Sequence, residues 1–209
     1  MVFESLGIPR NQIRCEPNST SRTDRHRVVP HVNVLAMDEL IAMGHRRIGH
    51  VGGPIGWTST TNRELAYRRV LTGRGLPTFP VARGDWSARS GYQAGLAWPV
   101  ELETTAIFVA NDQMALGLLS GLRERGLSVP DQISVVGFDD IQEVEFMAPP
   151  LTTVRLDFFD QGVRRIHGLI VQIQGTPPES DPHGGVVELV RRGSIRAVQE
   201  SVVTANSVG

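Results

Sequence analysis

Three short groups in this sequence combine carboxylates, amides and glycine where a chain is expected to turn: Gly52-Gly53-Pro54, Asn111-Asp112 and Asp139-Asp140. A fourth, Asp85-Trp86, adds an aromatic face. This mixture suits a polyol or a sugar. Carboxylates and amides exchange hydrogen bonds with neighbouring hydroxyls, and arginine adds a rigid fork of donors. Aromatic faces such as those of Trp86 and Phe158 cover the apolar C–H side of a sugar ring. The same residues admit a plainer reading, in which Asn111 and Asp112 cap a helix and Asp139 holds a turn.

Other chemistries find less support. Gly52 to Gly56 could cradle a phosphate at a helix N-terminus. It lacks both the P-loop lysine with its following hydroxyl residue and the GxGxxG spacing, so a plain turn is the better reading. His45 and His50 fall on either side of an expected helix–strand junction and cannot share one helical face. That favours solvated or capping histidines over metal ligands. Asp139 and Asp140, as neighbours at a strand end, point to opposite sides, which argues against a paired acid and base. Ser87, Ser90 and Ser134 have no GxSxG elbow around them. Cys15 lies in a polar stretch and reads as inert. No nucleophile–base pair and no cofactor motif is found, so the chain reads as a non-enzyme with no cofactor.

The elements that must position these groups alternate. Leu35, Leu40, Ile41 and Met43 make an apolar helical stripe ended by Gly44, and Ile48 to Gly52 reads as a strand. A helix is expected over Thr60–Arg74, closed by Gly75. A short strand over 78–84 follows, then a helix capped by Ser87 and running to about Trp98. Thr105–Ala110 is an apolar strand. Asn111 and Asp112 open a helix stopped by Gly126, and Ile133–Gly137 is another buried strand. Leu151–Leu156 is a strand, 157–174 a helix, 176–185 a Pro/Gly loop, and Val186–Val190 a last strand. Strand and helix in alternation signify a parallel sheet wrapped by helices. In such sheets ligands bind beyond the carboxyl ends of the strands, where the four polar groups fall. The helix at 157–174 is apolar over much of its circumference (Phe158, Phe159, Val163, Ile166, Leu169, Ile170, Ile173) and wants burial on more than one side.

The 209 residues suffice for one large domain or two small ones, and 40% apolar with 21% charged residues supports a buried core. No run of eighteen apolar residues occurs, which argues against a membrane-spanning helix. The N-terminus lacks the pattern of a secretory signal, so a cytoplasmic location is expected. A net charge of −1 gives no strongly basic face for nucleic acid. All 21 basic residues are arginine. Residues 1–30 are polar and aperiodic and read as an irregular leader, and the tail at 197–209 is expected to fray.

Several stretches resemble the LacI/GalR family of sugar-responsive bacterial repressors. They are Gly44-His45-Arg46-Arg47-Ile48 with Gly52-Gly53-Pro54; Gly84-Asp85-Trp86-Ser87 with Ser90-Gly91-Tyr92; Val109 to Gly117; Val129 to Asp140; and Pro149 to Val154. They recur in the family's order over residues 34–196. The resemblance implies an α/β fold of the periplasmic-binding-protein-like I class, with a sugar effector between two lobes and a homodimeric assembly. It places effector contacts on Arg63, Asn111 and Asp139. Trp86, Gln113 and Phe158 match the lactose-repressor subgroup and lean toward a galactoside. Ser59 is a further contact, although Trp57 to Asn62 departs from the family's usual run. Arg63, Asn111 and Asp139 would bind hydroxyls, and Trp86 and Phe158 would supply ring faces.

By the same resemblance, 31–196 is mostly the second, C-terminal lobe, with 151–185 a crossing segment of the first. Most of the first lobe, the hinge and the helix-turn-helix headpiece are expected to have no counterpart, so operator DNA is expected as a partner only of an intact family member. The helix at 112–125 and the segment at 141–148 would form the dimer surface. Half a cleft is expected to bind sugars on the order of 1 mM or worse, and the apolar helix at 157–174 is expected to drive self-association. An alternative on the same fold is the sugar-binding protein of a transporter. An α/β enzyme using Asp139 and Asp140 is a third reading.

Overall fold

Along β3 (Ala106–Val109) every side chain is buried, and they alternate between two apolar layers. Ala106 and Phe108 face one layer, Ile107 and Val109 the other. This is the mark of a strand covered on both faces, and it explains why the sequence reads there as a continuous apolar run. The computed structural model describes residues 34–157 and 187–198, with 162, 163, 166, 167, 169, 170 and 173 between them. The expected leader at 1–30, Phe158 and the loop at 176–185 lie outside the described residues.

Around β3 the sheet runs in the order β2-β1-β3-β4-β5-β6. Its members are β1 (Ile48–Gly52), β2 (Ala82–Arg83), β4 (Ser134–Asp139), β5 (Thr152–Leu156) and β6 (Val187–Val190). Strands β1 to β5 are parallel, and β6 pairs antiparallel with β5. Helices α1 (Leu35–Ala42) and α2 (Thr58–Gly73) cover one face through Met37, Leu40, Tyr67 and Leu71. Helices α3 (Ala88–Leu96) and α4 (Asp112–Glu124) lie on the other side, where α4 buries Met114, Leu118 and Leu122.

Three expectations are revised. The strand expected at 78–84 shrinks to Ala82–Arg83, because Leu76-Pro77 and Phe79-Pro80 interrupt the run and proline donates nothing to a ladder. Residues 152–156, assigned by resemblance to a crossing segment of the other lobe, are the fifth strand of this sheet, in register with β4. Within the expected tail, the Val198 amide donates to the Met43 carbonyl, which ties residues 197–198 to the end of α1; 199–209 lie outside the described residues. In the expected 157–174 helix, residue 157 is not helical, the positions described between 162 and 173 are, and Val163, Ile166, Leu169, Ile170 and Ile173 are all exposed.

Helices α3 and α4 touch backbone to backbone. Gly91 and Gly95 on α3, and Gly117 and Gly121 on α4, lie four residues apart and so on one face of each helix; Gly95 meets Gly121, while Gly91 lies against the Met114 backbone and Gly117 against that of Ala88 and Tyr92. A Cβ on Gly91 would overlap the Met114 carbonyl, and one on Gly117 the Ala88 carbonyl. The N-termini of this pair open beside the sheet's carboxyl edge. Ser87 caps α3 by accepting from the Ser90 amide, and Asn111 caps α4 by accepting from Met114.

Candidate functional site

The chain leaves β1 toward β2 on one side and returns through β3 to β4 on the other, so β1 and β3 flank the switch point of the sheet. Crevices in open α/β sheets form there. Gly52-Gly53 ends β1 at this point and Asn111 follows β3.

Arg63 reaches the site from the inner face of α2, largely buried. Its Nη2 donates to Asp139 Oδ1 at 3.3 Å, and its guanidinium lies 3.9 Å from the Phe138 ring centroid and 5.8 Å from that of Trp86. Asp139 ends β4 with φ 112°, followed by Asp140 at φ 55°. Two successive left-handed residues are a costly kink for non-glycine side chains. Burial pushes the Asp139 carboxyl up to about 6, and the Arg63 charge pulls against it. Burial likewise lowers the Arg63 guanidinium, opposed by Asp139 and Asp112. For both partners, then, loss of water outweighs the mutual attraction. Arg63 Nε has no hydrogen-bond partner among the described residues, which leaves a donor for a ligand.

Trp86 stands in the left-handed region at φ 75°. Its carbonyl accepts from Asn111 Nδ2 at 3.0 Å, and its ring lies over Gly53, where a Cβ would collide with it. Among the described residues its indole N–H is buried without a partner. Asn111 satisfies both readings of the sequence. Its Oδ1 caps α4 through the Met114 amide at 3.0 Å, while Nδ2 donates to Trp86 and to Gln113 Oε1 at 3.0 Å. Both amide hydrogens are therefore engaged, and a lone pair on Oδ1 is what it retains for a ligand. Gln113 is exposed beside it, and Ser59 is half-buried in the first turn of α2. Arg63, Trp86, Asn111, Gln113 and Asp139 thus form one connected group.

Thr60 and Trp57 escaped the sequence reading as members of this neighbourhood, as did the bracing role of Asp112, which was read as a ligand group or a helix cap. Asp112 is fully buried beneath the site and holds the kink from both sides. Its Oδ1 accepts from the Phe138 amide (2.8 Å) and the Thr153 hydroxyl (2.7 Å), and its Oδ2 from the Ile141 amide (3.1 Å). Burial pushes its carboxyl up to about 7, against these hydrogen bonds. Thr60 lies three residues before Arg63 on the same helix face, its hydroxyl buried without a partner among the described residues. Trp57 packs edge-on to Trp86, ring centroids 6.0 Å apart. Helical spacing back from Arg63 was the available signal for Thr60.

The histidines correct an expectation. Both are buried. His45 joins Thr105 Oγ1 (2.9 Å) to the Arg196 carbonyl (3.0 Å). His50 stacks between Tyr67 and Phe108 and directs Nδ1 at the Phe108 carbonyl at 2.9 Å, so Nδ1 carries the proton. Its burial lowers its pKa to about 4. Asp140 turns away from Asp139 onto Arg155 (2.6 Å) and Arg192 (2.9 Å). Among the described residues no group of three or more His, Cys, Asp or Glu could hold a metal ion, and no helix is long and apolar enough to cross a membrane.

Parallel strands in this order, with polar side chains gathered beyond their carboxyl ends, make a periplasmic-binding-protein-like domain. A family model described as a periplasmic binding protein-like domain matches residues 37–195. The lactose operon repressor of Escherichia coli is 38% identical over 142 residues, covering 68% of this chain and 39% of the repressor. The transcriptional repressor CytR of Escherichia coli is 35% identical over 167 residues, covering 78% of this chain and 49% of CytR. The chain therefore spans less than half the length of these relatives. The lac repressor dimer solved with operator and the anti-inducer ONPF superposes with a TM-score of 0.72 at 35% identity, covering 79% of this chain and 58% of that one. This chain belongs to the periplasmic binding protein-like family and carries the effector-binding region of its LacI/GalR branch.

Proposed function

We propose that this chain is the effector-binding part of a ligand-responsive transcriptional repressor, acting in the cytoplasm by binding a sugar and not by turnover. The observation that carries the reading is the largely buried Arg63–Asp139 pair, with a guanidine Nε–H beside it that has no hydrogen-bond partner among the described residues. Such a pair offers a donor fork and an acceptor carboxylate to adjacent hydroxyls. The Trp86 ring next to it covers the apolar face of the sugar, and Ser59, Asn111 and Gln113 border the same space. Phe158 is the further ring face that the resemblance supplies. The galactoside leaning rests on the stretches shared with the lactose repressor.

Effector binding shifts the population between operator-competent and operator-released states, by the difference in its affinity for the two. Operator DNA is a partner of the full-length regulator. The homodimer forms through the outer faces of α3 and α4 and the turn at Gln142–Phe146. Support comes from a shallow hollow lined by Ala88, Tyr92 and Leu116 and from Phe146, which is 81% exposed.

The test is a titration of the 209-residue chain with methyl β-galactoside, followed by tryptophan fluorescence. The described residues provide one wall of a cleft, so a dissociation constant on the order of 1 mM is expected near neutral pH. The ligand requires the Asp139 carboxylate, and protonation competes with it. Affinity falls as pH drops through about 6, by about tenfold per further pH unit. Asp139→Asn removes this pH dependence and Arg63→Met abolishes binding. An affinity that does not change between about pH 7.5 and about pH 5, or no saturable binding, refutes the reading.

A further inference from the structure

The loop between β1 and α2 places two large apolar side chains in water. Ile55 is 83% exposed and Trp57 57% exposed. Gly56, at φ 93°, turns the loop between them. The backbone of Trp57 is fixed, because its carbonyl accepts from the Thr61 amide at 3.0 Å as the first turn of α2. Among the described residues its ring belongs to neither core layer and packs edge-on with Trp86, with ring planes at 71°. Two indoles at this angle form a corner. A flat ring laid on one face abuts the edge of the other.

This corner continues the polar site outward. From Asp139 the contacts run to Arg63 at 3.3 Å, from Arg63 to Trp86 at 5.8 Å, and from Trp86 to Trp57 at 6.0 Å. Hydroxyl-binding groups occupy the inner end, and apolar ring surface the outer end. A ligand matching that gradient has a polyhydroxyl part inside and a flat, apolar-faced ring outside.

We propose that Trp57 forms a specificity-determining subsite for the aglycone ring of a glycoside, set against Trp86 at the mouth of the Arg63–Asp139 site. The inference rests on the sugar-binding reading above. An aryl group and a second pyranose share the required flat apolar face, and the probes separate them.

The experiment titrates the full chain with methyl β-galactoside, phenyl β-galactoside and lactose, followed by amide chemical shifts in two-dimensional NMR. At least one ring-bearing probe is expected to bind about tenfold tighter than the methyl glycoside. Which probe does so identifies the source of the ring. In Trp57→Ala the ratio between ring-bearing and methyl probes falls to about one, and in Trp57→Phe most of it is retained. The exposed position of Trp57 keeps both variants folded, which the same spectra report. A wild-type ratio near one, or one that survives Trp57→Ala, overturns the subsite while leaving the sugar site in place. Failure of all three probes on the wild-type chain overturns both.

Discussion

Gly117→Val is expected to destabilise the domain by more than about 3 kcal/mol, and the chain unfolds if the two helices cannot separate. The added Cβ falls on the Ala88 carbonyl and close to the Tyr92 amide, which are backbone atoms of α3 with no rotamer to give way. Relief requires α3 to move off α4, which opens a gap along Gly91, Gly95 and Gly121 and loses contacts over the whole helix pair. Gly73→Ala provides a contrast. A Cβ there meets nothing within 4 Å at the end of α2, so the exchange is neutral or gains up to about 1 kcal/mol from helix propensity. The urea midpoint should fall for Gly117→Val and stay level or rise for Gly73→Ala. A Gly117→Val midpoint equal to that of the wild type would mean that the helices are not in backbone contact.

The second large effect belongs to Asp112. Asp112→Ala leaves the Phe138 and Ile141 amides and the Thr153 hydroxyl without their acceptor. Each orphaned buried donor costs about 1–3 kcal/mol, so a loss of about 3 kcal/mol or more is expected. Asp112→Asn keeps one oxygen for two of the donors and opposes the third with an N–H, and it falls between. The loss depends on pH with a definite sign. The folded carboxyl is raised from 3.8 to about 7. The folded state therefore binds the proton more tightly than the unfolded chain. Asp112's contribution is fully present below about pH 4 and is lost as pH rises through about 7. The gap between wild type and Asp112→Ala should accordingly be wider at about pH 5 than at about pH 8. A gap that widens toward alkaline pH would show that the three hydrogen bonds, not burial, control this carboxyl.

Much of this architecture was legible because local signals agreed with one another. The apolar runs of β3 and β4 sit between Gly, Asn and Asp, and the caps at Ser87 and Asn111 are where a side-chain oxygen must meet a free amide. Gly44, Gly75 and Gly126 all stand at positive φ just past helix ends. The site was legible only in part. Spacing placed Asn111 and Asp139 at strand ends, but Arg63 lies mid-helix, with no local feature to separate it from Arg68 or Arg69. Only the resemblance pointed to it. The bracing role of Asp112 was hidden for a different reason. Its three partners come from β4, β5 and the loop after β4, 26 to 41 residues along the chain, and no short-range pattern encodes them. His50 misled because a histidine in a strand looks polar in sequence, whereas two stacked rings and one carbonyl make it a core residue.

The glycine seam between α3 and α4 also governs what a bound effector can transmit. One helix begins just after Trp86 and the other just after Asn111, so both roots touch the same small hollow. Joined without a cushion of side chains, the two behave mechanically as a single plank. A push on the indole cannot tilt one without carrying the other, and Leu116 and Tyr92 on the far surface of that plank travel with it. Under the proposed function, an event a few atoms wide at the bound effector would be carried as a rigid displacement to the outer surface of α3 and α4.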